Sequence, residues 1–360
     1  MKVGIGLIIL SLFYFCTDQE KTKNNNIFDD IEHYLTDGFV IKFPDTIPFD
    51  LALCNLNEKE MFFSAYNYPY IYVYDVKKQN FNKLYLKPID TLEVPVLINF
   101  YFRDSVIYYV PCAKKIITCK DNKVAIVKQI LEKYPNYCIY GGGDVISDSS
   151  NIYFQIRLAS NGKDKDYYKE NSELPNFTCI KRNLSKDTLL PLQYRIKESR
   201  TKQMISSMMK YTVDSDSRVI FCFETIDTIY VYDYKTNQLS KYFVSSPLNF
   251  QPYWFNQDTC KDIDISIINL YNKSSTIPVL FYNNKYHCLV RIVTFYNASV
   301  NKKENYIQIF DNKIKLLKTI RIPPEYTRFP VIIGNDVYFL SKNIKERKHV
   351  YKKFNFDNIN

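Results

Sequence analysis

Apolar and polar positions alternate along much of this chain. In IYVYD, residues 71–75, Ile71, Val73 and Asp75 fall on one face and Tyr72 and Tyr74 on the other. That is the period-2 signature of a strand. A polar turn (KKQN) and a second alternating run follow, so residues 71–86 read as a β-hairpin. Nearly the same phrase returns at 229–244, IYVYDYKTNQLSKYFV, with seven of sixteen positions identical. In both copies an aspartate closes the first strand, where its carboxylate can accept hydrogen bonds from backbone N–H groups of the turn.

Weaker copies follow the same plan. IITCKDNKVAIVKQI puts Asp121 in the turn, TCIKRNLSKDTLLPL puts Asn183 there, and YIQIFDNKIKLLKTIRI puts Asp311 there. Further apolar runs precede each hairpin, among them SVIYYV, RVIFCF and HCLVRIVTF. Each unit therefore carries three or four strands over roughly 40–60 residues, the pattern of a β-propeller blade. One blade cannot bury both of its faces, so a ring is needed. The expected fold is all-β: a β-propeller, most simply of six four-stranded blades. GFVIKF at 38–43 is expected to pair with a C-terminal strand and close it. The two IYVYD strands should be equivalent strands of different blades, three blades apart. Residues 38–360 read as a single domain, with SNGKDKDYYKENSELPN at 160–176 decorating the third blade.

Composition fits strands. Aromatics make up 16% of the chain, with 32 Tyr and 25 Phe, and such residues suit pleated, half-buried surfaces. Only 8 glycines occur, so Asn and Asp are expected at the turn positions that need positive φ. The net charge of +10 comes from lysines spread along the chain, which reads as a solvated surface with no nucleic-acid partner. KNIKERKHVYKK, at 342–353, reads as a charged edge strand.

The first residues, MKVGIGLIILSLFYFC, place Lys2 before 13 apolar-patterned positions, 3–15. That length suits a signal-peptide core and falls short of the ~20 residues that span a bilayer as a helix. Residues 1–16 are read as a leader and 17–37 as a tether. Cys16 closes the apolar run as in a bacterial lipoprotein signal, which implies lipidation there. That pattern has a small residue before the cysteine, and here Phe15 stands. A plain secretory signal and an uncleaved anchor are the alternatives.

Eight further cysteines (Cys54, Cys112, Cys119, Cys138, Cys179, Cys222, Cys260 and Cys288) contain no CxxC. Several sit in apolar strand patterns, where a thiol acts as a small hydrophobe. Cys112 and Cys119 are the first choice for a bridge if one forms. His33, His287 and His349 lack metal spacing, and His287 reads as a strand residue.

Two stretches offer candidate chemistry. YGGGDVISDSS, at 140–150, lacks the lysine and hydroxyl of a phosphate loop and reads as a bulge near the propeller axis, with Asp144 turned toward the channel. QPYWFNQDTCKDIDIS, at 251–266, sets Tyr253 and Trp254 beside Asp258 and Asp262, as stacking and hydroxyl recognition of a sugar require. Two such carboxylates also suit glycosidase chemistry. DSDSR at 214–218 reads as a turn. No catalytic triad, cofactor motif or metal set emerges.

The leader, the YxYD hairpins and VLFYNNKYHCLVRIVTF resemble the uncharacterised six-bladed propeller lipoproteins of Bacteroides-type bacteria, a domain-of-unknown-function family with distant TolB-like relatives. Tyr282, Lys285, Tyr286 and Arg291 match that family's late segment loosely. The resemblance implies a lipid-anchored protein of the outer membrane and transfers no catalytic residue. The leading expectation is a non-enzymatic binding or scaffold protein of the cell envelope, taking a glycan, peptide or protein at the channel mouth. The alternative is a carbohydrate-active hydrolase or lyase using carboxylates and tyrosines there.

Overall fold

The computed structural model of the chain describes residues 28–49, 51–56, 60–64, 70–85, 99–103, 106–110, 115–120, 123–129, 137–139, 146–147, 151–158, 177–181, 187–190, 209–224, 226–233, 235–244, 248, 250, 272–333 and 335–359. Two early strands, β1 (Asp29–Asp30) and β2 (Leu35–Lys42), flank a 3-10 turn at Ile31–Tyr34. The chain thus enters the fold ahead of residue 38, and Ile31 and Tyr34 are buried in its core.

β3 (Ala52–Leu56), β4 (Glu60–Ser64), β5 (Tyr70–Asp75) and β6 (Asn80–Tyr85) pair in chain order as one antiparallel sheet. β7 (Asn99–Arg103), β8 (Val106–Val110), β9 (Lys115–Lys120) and β10 (Lys123–Gln129) form the next. In the third, β11 (Tyr137–Ile139) and β12 (Ile146–Ser147) share the first place against β13 (Asn151–Leu158). β14 (Phe177–Lys181) and β15 (Asp187–Leu190) complete it. β16 (Met209–Val213), β17 (Val219–Phe223), β18 (Thr228–Asp233) and β19 (Gln238–Phe243) make the fourth. β20 (Thr276–Asn283), β21 (Cys288–Asn297), β22 (Lys302–Phe310) and β23 (Leu316–Ile322) make the fifth, and β1 adds to β23 in parallel. The last sheet has only β24 (Val331–Ile333), β25 (Asp336–Asn343) and β26 (Lys348–Phe354) in sequence, and β2 supplies its fourth strand.

Four sheets therefore have four strands and two have five. First strands meet first strands: β3 touches both β24 and β7, and β16 touches both β12 and β20. The architecture is all-β and propeller-like. The two IYVYD phrases are β5 and β18, each the third strand of its sheet and each paired with the outermost strand. Their alternation does not separate core from solvent, because sheets pack on both faces. Ile229 and Val231 join the cluster shared with β20–β22, while Tyr230 stacks on Phe221 at 5.0 Å.

Early and late chain meet at β2 and β26. Val40 pairs with Val350 and Ile41 with His349. The run at 342–353 is thus no edge: β26 is paired on both sides, because β2 covers what would have been its open flank. A register shift between Thr36 and Phe39 sets Gly38 against the partner backbone, where a Cβ would stand 2.0 Å from the Tyr351 carbonyl oxygen. Phe39 stacks on Tyr351 at 4.6 Å. Arg347 donates through Nε to the Phe43 carbonyl at 3.3 Å and through Nη2 to those of Pro44 and Ile47.

The turns follow one rule. Asp75 Oδ1 accepts the N–H groups of Lys77 and Lys78 at 3.0 and 2.9 Å, and Asp233 Oδ1 those of Lys235 and Thr236 at 2.8 and 3.3 Å. Asn283, Asp311 and Asp214 act alike. The connections at Asp121 and Asn183 lie outside the described residues. Positive φ falls three or four residues after the Asx: Gln79, Ser217, Asn237, His287, Asn301, Ile314 and Arg347. The expectation that Asn and Asp themselves take positive φ is therefore corrected for all but Asn237 and Asn301. The carboxylate or amide is worth more at the turn's entry, where it caps two amides, than in the left-handed slot. His287 likewise sits in a turn, not a strand.

His349 is 1% exposed, with Phe43 and Phe49 rings at 4.4 and 4.9 Å. Burial pushes its imidazole down to about 4 from 6.5, with the Lys342 charge acting the same way and the Phe49 backbone opposing. The unfolded chain then binds a proton below 6.5 that the folded one refuses. Stability is full above that value and falls as pH drops toward 4, by about 3 kcal/mol. Urea midpoints at pH 7 and 4.5 should drop further in the native chain than in His349→Phe. Equal drops would show that the imidazole is not the titrating group.

Candidate functional site

Strand alternation gives each sheet two unlike ends. The turn from second to third strand and the connection to the next sheet emerge together at one, here termed the loop end. The other end carries the Asx hairpins at Asp75, Asp233 and Asp311, together with Lys285, whose Nζ bonds the Tyr286 hydroxyl at 3.0 Å. At the loop end lie residues 224–227, 297–301, 323–330 and 343–347, and the exits of β2 and β19.

A buried ionic strut underlies this end. Arg291, on β21, is fully buried and aligned with Gln308 on β22 and Thr319 on β23. Its Nε donates to Gln308 Oε1 at 2.6 Å, and its Nη2 donates to Asp227 Oδ1 in the β17–β18 connection. The guanidinium also lies 5.3 Å from the Phe310 ring centre. The pair joins two adjacent sheets through a cluster otherwise apolar, Ile220, Cys222, Leu280 and Leu289 among it. Arg291 Nη1 and Thr319 Oγ1 are buried without a partner.

The opposite face of the same sheet is polar where it reaches the loop end. Thr294 donates to Asn305 Oδ1 at 2.8 Å and accepts from Arg328 Nη1 at 3.3 Å. The Tyr296 backbone N–H donates to Ser275 Oγ at 3.0 Å, and Tyr296 pairs across the ladder with Lys303. Arg328 lies 5.1 Å from the Phe329 ring centre. Partial burial holds the Lys303 ammonium below the usual lysine range, the Arg328 charge adds to this, and Glu224 opposes it. Among the described residues, neither Lys303 nor Arg328 has a carboxylate within 4.0 Å. Phe329, Val300 and Ile344 are 51%, 56% and 74% exposed at successive loop tips. A further cleft of about 500 Å³, lined by Lys42, Phe43, Asp45, Lys345, Arg347 and Lys348, opens where β2 leaves β26.

Tyr253, Trp254, Asp258, Asp262, Asp144 and Cys16 lie outside the described residues. Asp144 falls in the sequence between β11 and β12, whose last and first pairs with β13 are Ile139–Ile156 and Ile146–Tyr153. Residues 251–271 fall in the connection between β19 and β20. Cys222 and Cys288 are free and buried, and burial pushes both thiols up to about 12. Cys112 lies outside the described residues. Asp214 is a turn residue, ion-paired to Arg218 at 2.7 Å. No group of three metal-ligating side chains occurs among the described residues. The sequence reading missed Lys303, Arg328 and Phe329; NKKENY and TRFP carry no periodic signal, and only the fold sets them together.

No family model matches the chain, and no curated protein does. Among solved structures it is similar to a DUF4221 family member from Bacteroides vulgatus, with TM-score 0.61 and 12% identity over 89% of this chain and 97% of that one. Weaker likenesses are virginiamycin B lyase from Staphylococcus aureus (TM-score 0.47, 10% identity, 88% of this chain and 99% of that one) and the calcium-binding protein regucalcin from Agrobacterium tumefaciens (0.45, 7%, 82% and 88%). The first likeness speaks to the fold alone.

Truncating one partner of a buried pair leaves the other charge uncompensated. Asp227→Ala should cost about 3 kcal/mol in urea unfolding. Arg291→Met combined with Asp227→Asn should recover most of that loss. A double variant less stable than Asp227→Ala would show that the pair contributes net stability of its own.

Proposed function

We propose that the chain is a closed six-bladed propeller that binds a glycan, peptide or protein partner at its loop end without transforming it. The observation that carries this reading is the loop end itself. There Phe329, Val300 and Ile344 are exposed, and Lys303 and Arg328 stand close together without a carboxylate partner among the described residues. At the opposite end, among the described residues, the hairpin aspartates are taken up by the turn amides, and Asp75 also pairs with Lys78 at 3.4 Å. Recognition concentrates on loops that a rigid scaffold positions. In a six-bladed ring, β5 and β18 stand opposite each other across the channel. Tyr253, Trp254, Asp258 and Asp262 belong to the connection between β19 and β20, whose flanking strand ends lie at the loop end, and Asp144 falls in the sequence between β11 and β12.

The test is binding of the purified chain to glycan and protein panels, repeated with Val300→Ser, Phe329→Ser and Ile344→Ser combined, and with Lys285→Ser and Tyr286→Ser combined. The loop-end set should abolish binding and the other set should spare it. The reverse pattern sinks this reading. Turnover of a polysaccharide that disappears in Asp144→Asn or Asp262→Asn would replace it with the hydrolase or lyase.

The same proposal places the protein in the cell envelope, held by a lipid on Cys16. Metabolic labelling with a palmitate analogue should mark the native chain and not Cys16→Ser. Equal labelling, or none in either, removes the lipid anchor and leaves the binding reading intact.

A further inference from the structure

We infer that Lys303 and Arg328 form a carboxylate-binding site for an acidic carbohydrate, with Phe329 as the surface on which the sugar ring rests. This rests on the loop end being the binding face.

The geometry starts from Arg328. Its position is fixed twice, by the bond from Nη1 to buried Thr294 and by the adjacent Phe329 ring. Thr294 is itself held by Asn305, so the guanidinium is set on a buried hydroxyl and amide and not on a free side chain. A planar guanidinium held in this way matches a carboxylate with two parallel donors. Lys303 reaches the same place from β22, on the sheet face that carries Thr294 and Asn305. Two cations so placed repel, and each pays that cost unless an anion comes between them. Glu224 acts on Lys303 only at a distance. An incoming carboxylate relieves the repulsion and completes the hydrogen bonds of both.

The surroundings favour a sugar over an acidic peptide. Phe329 is 51% exposed with Arg328 over its ring, and an aromatic ring of this kind is of the size of a pyranose, whose C–H bonds pack against the negative face of the π system. Beside it, Asn305 gives its carbonyl to Thr294, which leaves its NH2 group to donate. The Tyr296 hydroxyl donates to Asn301 at 2.9 Å, which leaves its oxygen to accept. Ring hydroxyls need donors and acceptors together, whereas a glutamate side chain needs donors alone.

The experiment is equilibrium binding of three probes to the full chain: an oligogalacturonate, a galactose oligomer of equal length, and poly-glutamate. It is run at low salt, because exposed charge pairs are screened within about 10 Å at 0.1 M. The variants are Lys303→Ala, Arg328→Gln, both together, and Phe329→Ala, each with its melting temperature compared with the native chain. All three side chains are at least partly exposed, and folded variants are expected. Oligogalacturonate should bind about tenfold or more tighter than the neutral oligomer, as one charge-assisted contact allows. The double variant should remove that preference. Phe329→Ala should weaken both sugars and leave poly-glutamate unchanged. Equal binding of charged and neutral sugars overturns the carboxylate site. Poly-glutamate binding that needs the cations and ignores Phe329 overturns the sugar and keeps the loop end as a binding face. Binding that no loop-end variant touches overturns both.

Discussion

The fold depends on a strand borrowed across nearly the whole chain. Among the described residues, the sheets pack apolar side chains on both faces, against neighbouring sheets. A row of such sheets has two open flanks unless it returns on itself. The last sheet has three consecutive strands and takes its fourth, β2, from the opposite end of the sequence. The bonds at this seam are therefore unlike the others. Arg347 caps carbonyls of the segment leaving β2, His349 packs among Phe43 and Phe49, and Gly38 admits the Tyr351 carbonyl where no side chain fits. Each contact ties residues near position 40 to residues near 350, between the cores on either side of this sheet.

Polar groups serve this apolar scaffold in two ways. In the hairpins, one carboxylate or amide caps the turn amides and lets an ordinary residue take the left-handed conformation, even β-branched Ile314 at φ 65°. Such a residue is strained by about 1–3 kcal/mol, and the surrounding hydrogen bonds hold it there. Between sheets, the Arg291–Asp227 pair crosses a packed interface, with Gln308 as its second partner. Hydrophobic packing of flat sheets tolerates sliding. A directed ionic contact does not, and it fixes the register of one sheet on the next.

The repeat was the legible part of the sequence. Asp75 and Asp233 occupy the same turn, with Gln79 and Asn237 in the same left-handed position, because strand alternation and Asx chemistry are local. The pairing of 38–43 with a late strand was legible for a different reason: a ring of blades calls for a strand from the other terminus, and GFVIKF supplies it. Local reading failed where pairing partners are remote. The charged run at 342–353 looks like an edge until β2 covers it. Asp29 and Asp30 look like a tether until they pair with Ile320 and Arg321. Nothing in YHCLVRIVTF signals that Arg291 is buried, because its partner Asp227 stands sixty-four positions earlier. Lys303 and Arg328 escaped for want of any pattern linking them.

The seam also bears on how the protein is made. Arg347 and the Phe43 carbonyl it binds are 304 positions apart. At ~5–20 residues per second, the ribosome needs roughly 15–60 s to travel that distance. Throughout that interval β2 has no partner, and the sheet built from β3 to β6 shows an uncovered apolar face. The growing chain is thus a row of finished sheets with an adhesive flank at its leading side. That flank stays open until the last thirty residues or so arrive. Secretion before completion would meet the same delay on the far side of a membrane, where β2 would wait for β26 just as long.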